Sequence, residues 1–160
     1  MAEDFLPLKG IDHVEFYVGN AHQAAHYYRH MFGFDIVAYR GLETGDRERT
    51  SFLLQQGKIR FVLTATLTPD SEIARHGQLH GDGVKVVAFE VDDVEAAYAA
   101  VKARGATVVQ RPTTLKDESG ELRVATIRTY GDTVHTFVER QAYQGIFAPG
   151  FAKHAAPPAK

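Results

Sequence analysis

The chain repeats itself, and this limits its fold more than any other feature. Gly10-Ile-Asp-His-Val-Glu-Phe-Tyr-Val18 lies over Gly83-Val-Lys-Val-Val-Ala-Phe-Glu-Val91 without a gap, at an offset of 73 residues. Phe16 meets Phe89 and Val18 meets Val91, and in the same register Ala24 falls on Ala97 and Arg29 on Lys102. Both alanine-rich stretches then run into glycine, at Gly33 and Gly105. Gly57-Lys-Ile-Arg-Phe-Val lies over Gly131-Asp-Thr-Val-His-Thr at an offset of 74. One supersecondary unit of strand, helix and further strands therefore occurs twice.

Local signals agree with the repeat. Residues 11–18 read as a strand, and Asn20 is a helix cap ahead of an apolar stripe of Ala21, Ala24, Ala25, Tyr28 and Phe32. Strands are expected over 34–40, 49–56 and 59–66, the last two turning at Gln56-Gly57-Lys58. The second copy gives a strand over 84–91, a cap at Asp92 or Asp93, a helix over 94–104, and strands near 106–110, 122–129 and 133–140. Residues 67–82 read as a connector. The domain description is an arm over 1–9, one domain over 10–151 with modules at about 10–66 and 83–140, and a linker-like tail over 152–160.

Composition removes several functional classes. A chain of 160 residues holds one domain with a sizeable core. Its net charge of −2, with no basic run, argues against a nucleic acid or an anionic membrane as partner. Cysteine is absent, so disulfides, thiolate-bound zinc and thiol nucleophiles are excluded. The N-terminus is acidic where a signal peptide would be basic, and no apolar run approaches the ~20 residues of a membrane span. A soluble cytoplasmic protein is the expectation.

Strand alternation puts Val14, Phe16 and Val18 toward the helix and Ile11, His13, Glu15 and Tyr17 on the opposite face, with Val84, Val86, Ala88 and Glu90 as the repeat's counterparts. The duplicated unit resembles the vicinal oxygen chelate, or glyoxalase-like, fold. That resemblance implies an α+β class: paired βαβββ modules forming a curved mixed sheet with helices on the outer face. It also implies that a metal would sit on the first and last strands of each module, here at His13, Val62, Val86 and Thr136. A non-haem Fe(II) site uses two imidazoles and a carboxylate. With Val86 and Thr136 where the second histidine and the carboxylate belong, the expectation is no catalytic residue, no cofactor-binding residue and no metal ligand. His13, with Glu15 two residues on, is the only weak metal candidate.

Other constellations read as structural. His22, His26 and His30 share a helix face by their spacing, offset from the apolar stripe, and read as solvated. They lack the carboxylate of an HExxH site. His135 is expected to point to the helix layer or the domain edge. His80-Gly-Asp-Gly83 reads as turn chemistry, and Glu43, Asp46, Arg47 and Glu48 as a solvated loop.

Longer stretches narrow the resemblance. Val18-Gly-Asn-Ala-His-Gln-Ala-Ala-His-Tyr-Tyr28, Ala38-Tyr-Arg-Gly-Leu-Glu-Thr-Gly-Asp-Arg-Glu48, Gln56-Gly-Lys-Ile-Arg-Phe-Val-Leu63, His80 to Val91, Thr129 to Glu139 and Tyr143 to Phe151 are similar to the N-terminal domain of 4-hydroxyphenylpyruvate dioxygenases. Such enzymes are about twice as long. The resemblance implies that a C-terminal catalytic domain carries Fe(II) and most substrate contacts, with no cofactor expected on this chain. The reaction implied is 4-hydroxyphenylpyruvate plus O2 to homogentisate plus CO2, an oxidoreductase step in tyrosine catabolism. The partners implied are that domain or a second copy of the chain in a homo-oligomer, and a small aromatic 2-oxo acid.

Three alternatives stay open at this point. They are a hydroxymandelate synthase-type half, a stand-alone dimeric small-molecule-binding module, and a small metal-dependent lyase or isomerase using His13 and Glu15.

Overall fold

A computed structural model describes residues 4–154. The first module contains β1 (Gly10–Tyr17), α1 (Ala21–Tyr27), β2 (Asp35–Arg40), β3 (Arg49–Gln56) and β4 (Ile59–Thr66). A helix, α2 (Glu72–His80), comes next. The second module contains β5 (Gly83–Glu90), α3 (Val94–Ala103), β6 (Val108–Asp117), β7 (Gly120–Arg128) and β8 (Val134–Glu139), and β9 (Ala152–Lys153) follows it. The pairing is mixed: β1 with β4 and β5 with β8 are parallel, while β2–β3, β3–β4, β6–β7 and β7–β8 are antiparallel. Two βαβββ modules of a mixed-sheet α+β protein are thus present, as the repeat implies.

Compactness divides the chain inside strands: among the described residues, 13–85 with 150–154 form one unit, and 4–12 with 86–149 form the other. In the first unit the strands run β1-β4-β3-β2-β9. Ala21 and Ala25 of α1 bury against Phe34, Phe52, Leu54, Leu63 and Ala65, with Phe16, Val18 and Tyr28 packed around them. These are the alternate residues of β3 and β4, which leaves Ser51, Leu53, Val62 and Thr64 on the opposite face. Asn20 caps α1, its Oδ1 accepting the Gln23 N–H at 2.9 Å. The helix ends in a π-helical turn over Tyr28–Phe32, and Gly33 stops it in the left-handed region with φ 78°.

The second unit runs β6-β7-β8-β5. Its helix side buries Val94, Ala97 and Val101 against Ala125, Ile127 and Phe137, and Leu6 packs there too. Asp93 is the cap of α3, accepting the Ala96 N–H at 3.0 Å. Asp92 instead pairs with Lys9 at 2.6 Å. The expected arm therefore docks, since the Arg104 guanidinium also covers the Phe5 ring at 3.4 Å. The face away from α3 holds Val86, Ala88, Leu122, Val124, Val134 and Val138, closed by Tyr143.

Three expectations need correction. The connector contains α2, started by Ser71 Oγ accepting the Ala74 N–H at 3.0 Å and stopped at Gly81; Ile73 and His76 are its buried residues. β6 runs to Asp117 rather than stopping near 110: it is an edge strand, and Pro112 falls where its ladder shifts register between Gln110 and Thr113, a place where an edge strand tolerates proline. The start of the linker-like tail is ordered, since Ala152 and Lys153 pair with Tyr39 and Ala38. The rest of that tail, residues 155–160, and the first three residues of the arm lie outside the described residues.

Candidate functional site

The four positions where the fold would place a metal are occupied in ways that suit packing. Val62 is buried beside Leu53 on the face opposite α1. Val86 is buried with Leu122, Val124 and Tyr143. Thr136 is half-buried, and its hydroxyl lies 2.8 Å from that of Thr126 across the β7–β8 ladder. His13 is half-buried. Glu15 is already engaged: the Thr64 hydroxyl donates to its Oε1 at 2.7 Å, so Ser51 must donate to Thr64 across their 2.7 Å contact. Both hydroxyl residues are buried, making this a satisfied polar chain rather than a free carboxylate. One imidazole, two isopropyl groups and a bonded threonine do not fit Fe(II), which needs several nitrogen or carboxylate donors. Among the described residues, no group of three or more His, Cys, Asp or Glu could hold a metal ion.

Within the 13–85 unit, the helix α2 packs against Tyr17 of β1. His76 meets the Tyr17 ring edge-on at 5.3 Å, and Lys85 sits 5.8 Å over that ring while pairing with Glu72 at 3.0 Å. Burial, then the Glu15 and Glu72 charges, hold the Tyr17 hydroxyl above its ordinary range and therefore protonated. Tyr143 behaves alike: burial and its 2.8 Å bond to Asp117 push it up to about 12.

The remaining histidines divide. His26 and His30 lie on α1 and its π-helical turn with ring centroids 4.1 Å apart and planes tilted by 38°, and His135 turns to the helix side, against Phe89 at 5.0 Å. His80-Gly-Asp-Gly83 is turn chemistry, with Asp82 accepting the Gly19 N–H at 2.8 Å. The expected solvated loop is instead organised around Asp46, whose carboxylate takes the N–H groups of Glu48 and Arg49 and pairs with Arg40 at 2.7 Å. Burial opposes its charge, but those donors and Arg40 together hold its pKa below the usual carboxylate value. A carboxylate with a lowered folded pKa stabilises above its unfolded value of about 3.9 and loses that contribution as pH falls through the folded one. Asp46→Asn is therefore expected to be less stable than the parent at neutral pH, with the deficit closing below about pH 4. Urea midpoints measured from pH 3 to 7 would show it; a deficit independent of pH would count against it.

One cavity stands out in the 13–85 unit. It has a volume of about 620 Å³ and opens on the α1 side, among His22, Tyr39, Glu43, Phe52 and His154 with Thr50, Thr66 and Leu67. Phe52 and Tyr39 pair across β2–β3, with ring centroids 5.1 Å apart. β9 brings in His154, whose ring lies 5.8 Å from Phe52, and His22 faces Phe52 at 5.9 Å. The Tyr39 hydroxyl donates to Glu43 Oε2 at 2.6 Å. Gly41 makes this possible, because a Cβ there would stand 2.0 Å from the Tyr39 hydroxyl oxygen. Sequence reading missed this group; Tyr39 and Phe52 were available as a cross-strand pair, but β9 and hence His154 were not.

The duplicated βαβββ architecture with its first- and last-strand positions defines a vicinal oxygen chelate protein. A model of the Glyoxalase/Bleomycin resistance protein/Dioxygenase superfamily matches residues 10–133, and the chain belongs to that family. It is 50% identical over 156 residues to the 4-hydroxyphenylpyruvate dioxygenase of Caenorhabditis briggsae, covering 97% of this chain and 40% of that protein. With the Caenorhabditis elegans enzyme it shares 50% over 147 residues, 91% of this chain and 37% of that one. The chain thus spans about 40% of the length of the curated relatives it matches. Among solved structures, a mutant 4-hydroxymandelate synthase from Streptomyces coelicolor superposes with a TM-score of 0.84 at 29% identity, over 94% of this chain and 43% of that one. Methylmalonyl-CoA epimerase from Mycobacterium tuberculosis shares the fold, with a TM-score of 0.69 at 23% identity over 87% of this chain and 91% of that one.

Proposed function

We propose that this chain is the N-terminal, non-metal-binding half of a 4-hydroxyphenylpyruvate dioxygenase-type enzyme. The observation that carries the reading is the 50% identity across nearly the whole chain to proteins of which it spans only about 40%. The family chemistry is decarboxylation of 4-hydroxyphenylpyruvate with O2 to give homogentisate and CO2. On this reading Fe(II), the small aromatic 2-oxo acid and most catalytic contacts belong to a C-terminal domain. This half is a folded scaffold that packs on that domain and supports a cytoplasmic homo-oligomer. The aliphatic and threonine side chains at Val62, Val86 and Thr136 support that division of labour. No helix among the described residues is long and apolar enough to cross a membrane.

A hydroxymandelate synthase-type half is the second reading, favoured by the 0.84 TM-score to such an enzyme. Purified chain supplied with 4-hydroxyphenylpyruvate, Fe(II) and ascorbate is expected to form neither homogentisate nor hydroxymandelate. Supplied in turn with the C-terminal half of a 4-hydroxyphenylpyruvate dioxygenase and that of a hydroxymandelate synthase, it should restore turnover with one of them, and the half it complements identifies which reading holds. Turnover by the chain alone would overturn both.

A further inference from the structure

The cavity beside α1 plays no part in the proposed scaffold role and has the features of a ligand site. Its volume of about 620 Å³ is that of a pocket for a small organic molecule. Four rings line it, those of His22, Tyr39, Phe52 and His154. Among the described residues lining it, Glu43 is the only Asp, Glu, Lys or Arg. Its carboxylate is held in place by the Tyr39 hydroxyl, which also keeps its pKa low. His154 stays neutral at pH 7.5: burial, then Arg29 and His22, lower its pKa. Arg29 is the nearby opposing charge, but it does not line the cavity.

Aromatic faces attract cations through their quadrupoles, and a fixed carboxylate adds direction to that attraction. We propose that this cavity binds a small organic cation with apolar bulk, an aryl- or alkylammonium, seated on the Tyr39, Phe52 and His154 rings with its charge toward Glu43. An aromatic acid of similar size would meet the Glu43 carboxylate and be rejected. The inference is independent of the proposed scaffold role, because no cavity residue lies at a metal position.

The test is calorimetric titration of the 160-residue chain at pH 7.5 with benzyltrimethylammonium, and with phenylacetate and benzyl alcohol as anionic and neutral counterparts. The expected result is saturable binding of the cation, roughly tenfold or more tighter than of either counterpart. Glu43→Gln should weaken it roughly three- to tenfold, and His154→Ala by a smaller factor. Both changes are outside the packed core, and circular dichroism checks that each variant is folded. Gly41→Ala, which drives the Tyr39 ring aside, should also weaken binding. No saturable cation binding, equal binding of cation and anion, or affinity unchanged by Glu43→Gln and His154→Ala in folded protein would each overturn the proposal.

Discussion

Replacing Asp12 by alanine is expected to destabilise the chain by about 3–5 kcal/mol, the cost of stranding a buried charge. Asp12 is 1% exposed and accepts from Nε and, at 2.8 Å, from Nη2 of Arg140. The same guanidinium donates through Nη1 to the Phe147 carbonyl and lies 4.9 Å over the Phe147 ring. It therefore ties the first residues of β1, up to Asp12, to the end of β8 and the segment after it within one unit. Both carboxylate oxygens are engaged, and the geometry is the two-point fork that lysine cannot reproduce. Arg140→Ala should cost a similar amount. The double variant Asp12→Leu with Arg140→Leu is expected to cost less than either single alanine, because it leaves no orphaned charge. Urea denaturation followed by circular dichroism gives all three values. Single variants within about 1 kcal/mol of the parent would mean the pair is a spectator.

Gly120→Ala is the second large effect. Gly120 opens β7 with φ 120°, a conformation that only glycine adopts without strain. A Cβ built there would stand 2.1 Å from the Ala142 carbonyl oxygen, which is backbone and cannot swing away. That oxygen accepts the Glu121 N–H at 3.0 Å, so moving it also loosens the segment carrying Tyr143. Backbone strain of this kind costs about 1–3 kcal/mol, and the clash adds to it. A melting temperature lowered by several degrees, on the order of 2–4 °C per kcal/mol for a chain this size, is the expected readout. An unchanged melting temperature would show that the hairpin relaxes freely.

Much of the fold could be read from residues alone because the repeat and the caps are local. The Gly10 and Gly83 strands, the Asn20 cap and a second cap at Asp92 or Asp93 each follow from side chains within a few positions, and the structure settles the last on Asp93. What escaped depends on distant partners. α2 carries few apolar residues, and its helical state is completed by Ile73 and His76 burying, with His76 against Tyr17. β6 carries Pro112 and exposed polar residues, so nothing in its own pattern marks a long strand; its ladder with β7 does. β9 is two residues held by β2.

The site shows the same division. The face alternation of β1 and the identities at 13, 62, 86 and 136 could be read directly. The Ser51–Thr64–Glu15 chain required the β3–β4 and β1–β4 registers, which fix which hydroxyl meets which carboxylate. Asp46 looked like part of a charged loop because its partners Arg40 and Arg49 flank a turn whose path sequence does not give.

The central claim is that this half carries no competent metal site, and anaerobic Fe(II) equilibration tests it most directly. The 160-residue chain would be incubated with excess Fe(II), desalted without oxygen and assayed for iron and protein together, with His13→Ala treated in parallel. The predicted result is iron far below one equivalent in both, and no difference between them. One equivalent of iron retained by the parent and lost with His13→Ala would contradict it.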